Sequence, residues 1–268
     1  MVDWEHLFNE IAKEVYQSVK PILHSQKAKE IVGRGAGGDL TRYIDALAED
    51  VVIKILEENN VSCILVSEEC GTKTIGKEPK AYVILDSIDG TVNALRGIPF
   101  FCTSIAFSTG PHLSDITMGF VINLSNKEKF SAIKGKGAYK GKTRLKPSTI
   151  TNVNESLISV ELSLPGNQEQ LIHLMPLLLN SKKIRHLGAT ALEICYVASG
   201  YLDAFVDIRN MARAVDLAAA YIILKETGGI MITPDGKELN MRLGANERTH
   251  IIATANLTIC KEILRLLK

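Results

Sequence analysis

The stretch Ala81-Tyr-Val-Ile-Leu-Asp-Ser-Ile-Asp-Gly-Thr91 consists of an apolar run, two carboxylates and a Gly-Thr pair. The apolar run predicts a buried β-strand, and residues 91–95 predict a short helix after it. Carboxylates at the end of a buried strand are costly to desolvate unless a positive group compensates them. Divalent cations such as Mg²⁺ take oxygen ligands, and a helix N-terminus presents free N–H groups to an anion. The stretch therefore indicates phosphate chemistry at a metal site.

The composition is that of an ordinary globular protein. Of the 268 residues, 46% are hydrophobic and 23% are charged, and the formal net charge is +1. A balanced charge without a basic block argues against nucleic acid as a partner, and no apolar stretch is long enough to span a membrane. The N-terminus lacks the regions of a signal peptide, and the five cysteines include no C-x-x-C pair. We therefore expect reduced thiols, a cytoplasmic location and no membrane partner.

Around the opening stretch, the sequence predicts helices and strands in mixed order. Residues 3–23 have the apolar spacing of an amphipathic helix. Gly33–Gly38 predicts a flexible loop, and Asp39 or Thr41 is expected to cap a helix that reaches Glu58. The predicted strands of the first half lie at 62–66, 81–85, 100–108, 116–124 and 129–133, mostly antiparallel.

The second half alternates strands with helices, which indicates layered sheets and helices. A polar segment around Pro147 predicts a boundary there. We therefore expect an N-terminal lobe over residues 1–145, with most of the metal-binding motifs. A C-terminal lobe over residues 146–268 is expected to carry the last metal aspartate and the substrate contacts.

Acidic residues recur at predicted element ends that lack an obvious basic neighbour. Glu68-Glu69 follows a short strand, Asp86 and Asp89 follow the next one, and Asp216 lies in the first turn of a helix. Each has a simpler interpretation, because paired loop acids are usually solvated and an aspartate can serve a helix dipole. Gathered in one place, these like charges would repel unless cations neutralised them. Together they fit a two-metal phosphoryl-transfer site.

Four motifs in order resemble those of the inositol monophosphatase superfamily, over roughly residues 5–260. Asp86-Ser-Ile-Asp-Gly-Thr91 with Asn93 resembles its first signature, and Val66-Ser-Glu-Glu69 its upstream acidic motif. Val215-Asp-Leu-Ala-Ala219, ahead of Gly228-Gly229, resembles its second signature. Asp39-Leu-Thr41, leading to Asp45, is similar to its early metal-loop segment. The superfamily also holds archaeal fructose-1,6-bisphosphatases and nucleotide-bisphosphate 3′-phosphatases.

The resemblance implies an α/β (α+β) fold, a layered α/β/α/β/α sandwich of the sugar phosphatase type, usually as a homodimer. It implies two or three Mg²⁺ ions. The implied metal ligands are Glu68, Asp86, the carbonyl of Ile88, Asp89 and Asp216. The implied catalytic residues are Glu68 and a hydrogen-bonded pair, Asp45 and Thr91, that activates the attacking water. Two positions depart from the family: Ser87 stands where a proline is usual, and Val215 replaces a common tryptophan before the metal aspartate.

Substrate contacts are implied by the same resemblance. Asp89 and the backbone N–H groups of Gly90 and Thr91 would contact the phosphate. Gly188, Ala189 and Thr190 open a helix and resemble a segment that contacts the sugar. Asp207 stands near the place of a glutamate that binds inositol hydroxyls. Glu193, one turn into the helix, has a simpler interpretation as a helix-surface charge.

Three arginines bear on a second substrate phosphate. Arg185, Arg209 and Arg213 have the guanidinium geometry that suits bidentate phosphate recognition. The alternative is that each is a surface charge or pairs with a nearby acid. The length of the stretch from Asp207 to Asp216, together with its arginines, resembles the archaeal branch of the superfamily.

Three functions follow from these patterns. The favoured one is Mg²⁺-dependent hydrolysis of a small-molecule phosphomonoester, inositol 1-phosphate and also fructose 1,6-bisphosphate. The first alternative is the same chemistry on 3′-phosphoadenosine 5′-phosphate. The second, of a different class, is a non-catalytic regulator that binds sugar phosphates. The intact set of acids argues against the regulator, because binding alone does not need every metal ligand.

Overall fold

The computed structural model describes residues 2–164 and 166–268. Its α-helices are α1 Trp4–Val19, α2 Tyr43–Glu58, α3 Thr91–Arg96, α4 Gln168–Asn180, α5 Thr190–Ala198, α6 Ala214–Lys225 and α7 Leu257–Leu266. Its first strands are β1 Ile31–Arg34, β2 Leu40–Arg42, β3 Cys63–Ser67, β4 Gly71–Ile75, β5 Tyr82–Asp89, β6 Cys102–Ser108, β7 Ile116–Asn123, β8 Lys129–Ile133, β9 Gly137–Lys140 and β10 Thr143–Arg144. The remaining strands are β11 Leu157–Val160, β12 Lys183–Arg185, β13 Ala204–Arg213, β14 Ile230–Ile232 and β15 Arg248–Thr254. None of the helices in these described ranges has both the length and the apolar character needed to cross a bilayer.

Two sheets organise the molecule. The larger has eight strands in the order β10-β9-β8-β7-β6-β5-β3-β4, and the smaller has five in the order β12-β11-β13-β15-β14. The larger sheet is antiparallel except between β3 and β5, which run parallel. The mostly antiparallel first half predicted from the sequence is confirmed.

The sheets and helices stack in five layers. α1 and α2 cover one face of the larger sheet, α5 and α6 lie between the sheets, and α4 and α7 cover the outer face of the smaller sheet. The alternation of a strand shows in β5, where Val83 and Leu85 pack under α1 and α2 while Ile84 packs on the opposite face. This is the predicted α/β/α/β/α sandwich.

Helix α6 joins the two halves of the chain. All its residues from Ala214 to Leu224 are buried. It lies so close to β7 that a Cβ on Gly119 would come within 2.5 Å of the carbonyl oxygen of Ala219. Small residues on both sides permit this approach. The chain passes from one sheet to the other over residues 145–156, and the division into lobes at 145/146 stays a prediction.

The segment before α2 differs from the prediction. Ile31–Arg34 pairs with Leu40–Arg42 as a hairpin, so Gly33 and Arg34 lie in a strand rather than in a loop. Because β2 continues to Arg42, α2 begins at Tyr43, and no side chain caps it. The predicted cap by Asp39 or Thr41 is wrong. The sequence prediction also missed β4, a mostly polar strand.

Candidate active site

Glu68 and Asp86 lie side by side because their strands are parallel neighbours. Val66 of β3 is opposite Ile84 of β5, and both pack toward α5 and α6. Side chains two positions further along point to the same side of a sheet. Glu68 and Asp86 therefore face the layer that contains α6.

Asp216 completes this group from the first turn of α6. One carboxylate oxygen from each of Glu68, Asp86 and Asp216 lies within 4.8 Å of the others. Asp89 also reaches the site, although three positions along a regular strand would place it on the opposite face. The pairing of β5 with β6 shifts register between Asp86 and Asp89, and this bulge redirects the chain.

The acidic group suits a cation. Asp86 is 2% exposed, and its Oδ2 is buried without a hydrogen-bond partner among the residues the structure describes. Burial raises the pKa of Asp86 well above its usual range, and the charges of Glu68, Asp89 and Asp216 raise it further. A buried carboxylate oxygen without a donor, surrounded by other carboxylates, is a suitable ligand for a hard divalent cation.

Asp89 is held at the start of α5. Its Oδ1 accepts a hydrogen bond from the amide of Thr190 at 3.2 Å, and its Oδ2 accepts one from the amide of Ala191 at 2.7 Å. Burial raises the pKa of Asp89 to about 7, and Asp216 adds to this, while the two amide bonds oppose it. The predicted contact segment Gly188–Thr190 is thereby tied to a predicted metal ligand.

The predicted pair of Asp45 and Thr91 is present. Thr91 Oγ1 lies 2.9 Å from Asp45 Oδ1 and 3.0 Å from the carbonyl oxygen of Ile88. Burial raises the pKa of Asp45 to about 7, whereas the Thr91 bond lowers it. Ser87, one of the two departures from the family, donates to the carbonyl of Asp45 at 3.2 Å, so the hydroxyl links the motif to α2.

Gly90 is required at the turn into α3. Its φ is +88°, in the left-handed region that favours glycine. A Cβ there would lie 3.1 Å from both Ala189 and the carbonyl oxygen of Phe100. The first amides of α3 have no partner four residues earlier within the helix. Gly90 and Thr91 therefore combine a tight turn with the amides predicted to contact phosphate.

Arg213 lies among the acids rather than at a distance from them. Its Nη2 is 2.8 Å from Glu68 Oε2 and 3.0 Å from Asp216 Oδ1, and its Nη1 also contacts Glu68 Oε1. Burial would lower the pKa of Arg213, but Asp216 and Glu68 raise it above its usual range. Of the two interpretations of this arginine, the structure favours pairing with nearby acids.

Arg209 and Asp207 form an ion pair with each other. Arg209 Nε and Nη2 lie 2.9 and 2.8 Å from the two carboxylate oxygens of Asp207, and Nη1 lies 3.3 Å from Glu161. Asp207 is fully buried. Arg185 is on β12 at the edge of the smaller sheet, and its Nη1 donates to the neighbouring Ile184 carbonyl. Substrate binding by these three residues stays a prediction.

Two buried glutamates were missed as parts of the site. Glu49 is 4% exposed and accepts bonds from the hydroxyl of Ser67 and the amides of Glu69 and Cys70. It holds the turn that presents Glu68. Its position four residues after Asp45 places it on the same face of α2, which is the signal in the sequence that could have found it. Glu193 is 1% exposed, so the surface-charge interpretation is wrong.

Asn93 connects the motif with the other half of the chain. Its side-chain amide donates to the carbonyl of Phe100 at 2.8 Å and to the carbonyl of Leu187 at 2.7 Å. Together with Asp89 and Gly90, it fixes the segment before α5 against the start of α3. The site is therefore assembled from both halves.

Comparison with known families agrees with this arrangement. The sequence profile of the inositol monophosphatase family matches residues 3–266. The chain belongs to the inositol monophosphatase family. It is therefore an enzyme of the phosphatase class, as the sequence predicts.

Relatives from archaea share most of the chain. A fructose-1,6-bisphosphatase/inositol-1-monophosphatase of Methanothermobacter thermautotrophicus is 33% identical, with coverage of 99% of this chain and 96% of its own length. The crystal structure of an inositol monophosphatase–fructose 1,6-bisphosphatase superposes with a TM-score of 0.86 at 34% identity, covering 99% of this chain and 100% of the other.

One relative is a larger protein. A bifunctional NADP phosphatase/NAD kinase of Methanococcus maripaludis is 36% identical over 264 residues. The match covers 91% of this chain but 46% of that protein. This chain thus spans about half the length of that relative.

Proposed function

We propose that the protein is a Mg²⁺-dependent phosphomonoester hydrolase that acts on inositol 1-phosphate and fructose 1,6-bisphosphate. The observation that carries the proposal is the convergence of Glu68, Asp86 and Asp216 within 4.8 Å, beside the hydrogen-bonded pair of Asp45 and Thr91. A binding module would need the acids only if it also bound metal. The Asp45–Thr91 pair has a use in hydrolysis, because it can accept a proton from water.

Two or three ions would be held by Glu68, Asp86, the Ile88 carbonyl, Asp89 and Asp216. When bound, the ions would neutralise phosphate oxygens and lower the pKa of a coordinated water. The first turn of α3 would orient the phosphate through its free amides.

The Thr91 hydroxyl bonded to Asp45 would align the attacking water and pass its proton toward the carboxylate. General-base assistance of this kind contributes about 10²–10⁴-fold to a rate. The roles of Asp45, Glu68 and Thr91 in this step are part of the proposal.

A second candidate substrate class is a nucleotide phosphate. The 36% identity with an NADP phosphatase/NAD kinase favours this class. NADP therefore replaces the predicted alternative, 3′-phosphoadenosine 5′-phosphate, as the first nucleotide to test. Both share a phosphomonoester on a ribose. We also propose, from the sequence, that the protein is a cytoplasmic homodimer without a nucleic-acid partner.

A phosphate-release assay tests these proposals. Inositol 1-phosphate, fructose 1,6-bisphosphate, NADP and 3′-phosphoadenosine 5′-phosphate are compared with excess Mg²⁺ and with a chelator. We expect Mg²⁺-dependent turnover of the first two substrates, which the Asp86→Asn variant, purified in parallel, should lack. Preference for NADP would favour the second candidate. If the protein binds these esters but hydrolyses none of them, the proposal of an enzyme is refuted and the non-catalytic regulator is supported.

A further inference from the structure

Arg213 occupies the group of acids that the proposed function assigns to metal ions. Its guanidinium hydrogen-bonds to both carboxylate oxygens of Glu68 and lies 3.0–3.2 Å from Asp216 Oδ1 through Nη2 and Nε. The side chain is 16% exposed, so solvent screens these ion pairs only weakly. The arginine therefore pairs with two of the three carboxylates that converge in the site.

A divalent cation would need the same oxygens. Both carboxylate oxygens of Glu68 and both of Asp216 already accept hydrogen bonds from the guanidinium. A guanidinium and a divalent cation in contact with the same carboxylates would also repel each other. The guanidinium and a cation therefore compete for Glu68 and Asp216.

We propose that Arg213 is a built-in counter-ion of the metal site, which a divalent cation must displace from Glu68 and Asp216. The proposal rests on the metal-binding part of the proposed function. In the absence of metal, the single positive charge of Arg213 offsets part of the negative charge of these carboxylates, and it thereby lowers the apparent affinity for metal. Metal binding and movement of the guanidinium are then one coupled event.

The local structure allows the side chain to move while the backbone stays in place. Arg213 immediately precedes α6, and its amide donates to Asp216 Oδ2 at 3.1 Å. Nη1 already lies 3.6 Å from Asp39 Oδ2, in the turn of the β1–β2 hairpin, where the Asp39 side chain is 74% exposed. Asp39 offers the released guanidinium a partner at the rim of the site.

Arg248 supplies a matched control. It is the cross-strand neighbour of Arg213 in the pairing of β13 with β15, and its Nη2 donates to the carbonyl of Gly37 at 3.3 Å. It has no hydrogen bond or ion pair with the three carboxylates among the contacts of the described residues. Substitution of Arg248 removes the same positive charge from the same end of the β13–β15 pair. It leaves the contacts of Arg213 with Glu68 and Asp216 in place.

The test measures metal binding by calorimetry in the absence of substrate. We expect Arg213→Met to bind Mg²⁺ or Mn²⁺ about tenfold more tightly than the wild type, because the competing charge is gone. Arg248→Met should stay within about twofold, since its charge does not contact the ligands. Arg213→Lys, which keeps the charge but loses the planar fork, should lie in between.

Melting temperatures give a second readout. Metal-free Arg213→Met should melt below the wild type, because its buried acids lose their counter-ion, and saturating metal should close that difference. In the wild type, the Nε–H resonance of Arg213 should shift as metal is added, which tests the displacement even if the variant folds poorly.

Unchanged or weaker metal binding by Arg213→Met, with a wild type that binds normally, would overturn the counter-ion role. An Arg213 Nε–H resonance whose chemical shift is unchanged at saturating metal would also overturn that role. A wild type that binds no divalent cation would instead refute the metal site of the proposed function, so the two failures are distinguishable.

Discussion

Thr91 Oγ1 lies 2.9 Å from Asp45 Oδ1, although the two residues are 46 positions apart. Thr91 is the first residue of α3 and Asp45 lies in the first turn of α2. The first turns of α2 and α3 are thus joined by one hydrogen bond beside the acids. Because a hydroxyl carries one hydrogen, it donates either to Asp45 or to the Ile88 carbonyl, 3.0 Å away, and its lone pairs remain available to a water.

Removal of the Thr91 hydroxyl should slow turnover without abolishing substrate binding. Thr91→Val keeps the shape of the side chain, and we expect kcat to fall about 10²–10³-fold with KM within a few-fold. Since the hydroxyl lowers the pKa of Asp45, its loss should also move the rising limb of the pH–rate profile upward. Thr91→Ser, which keeps the hydroxyl, is the control and should retain most activity. Equal rates for the valine and serine variants would contradict this role.

Asp89→Asn should abolish activity and leave the fold intact. The asparagine keeps one carbonyl oxygen for the amides of Thr190 and Ala191 but loses the negative charge and one acceptor. We expect turnover to fall by at least roughly 10³-fold with Mg²⁺ present. The lost hydrogen bond should cost about 1–2 kcal/mol, or a few degrees in melting temperature. Circular dichroism checks that the fold is intact, and phosphate release measures the loss of activity. Near-normal turnover would refute the assignment of Asp89 as a metal ligand.

The layers and the acids were predictable because short motifs encode them. Asp86 and Asp89 come at the end of an apolar segment, and Asp216 lies at the start of another. These positions predict burial, and the order of the motifs predicts the family. The bulge that turns Asp89 toward the site was not predictable, because a register shift depends on the partner strand β6. The same holds for the cap of α2, where pairing of β2 with β1 overrides the capping preference of Thr41.

The arginines show the limit of a prediction from residue type. A guanidinium suits a phosphate and a carboxylate equally well, so the sequence left both partners open. The fold places Arg213 against Glu68 from the other half of the chain, and it brings the guanidinium of Arg209 to 2.8 Å from Asp207 in the same strand. Only the tertiary structure decides between the partners.

Glu49 should control metal affinity through the turn that carries Glu68. Its two oxygens accept bonds from Ser67, Glu69 and Cys70, and an alanine would release that turn. We expect Glu49→Ala to weaken Mg²⁺ binding about 10–100-fold, as for other outer partners of metal ligands. Turnover at saturating Mg²⁺ should fall much less.

The exposed Glu57 on the same helix is the control for this variant, and Glu57→Ala should leave metal affinity unchanged. Calorimetric titration with Mg²⁺ separates affinity from rate. A loss of kcat at saturating metal with unchanged affinity would assign Glu49 a different role.

Glu193 should make the metal-free protein less stable as the pH rises. Burial raises its pKa to about 8, although bonds from the Leu187 amide and the Ser159 hydroxyl oppose this. Between its ordinary pKa of 4.5 and about 8, the folded state holds more protons at this site than the unfolded state. Stability therefore falls as the pH increases through that window.

Glu193→Gln should remove this dependence. The hydrogen bonds from Leu187, Gly188 and Ser159 all go to one oxygen, Oε1, so a glutamine carbonyl can accept each of them. We expect the variant to gain of the order of 4 kcal/mol at pH 8, and little at pH 5. This corresponds to a melting temperature about 8–16 °C higher at pH 8. Thermal melts with a chelator measure the effect, and the exposed Glu169→Gln variant is the control. If the melting temperatures of Glu193→Gln and the wild type change in parallel with pH, ionisation of Glu193 does not destabilise the fold.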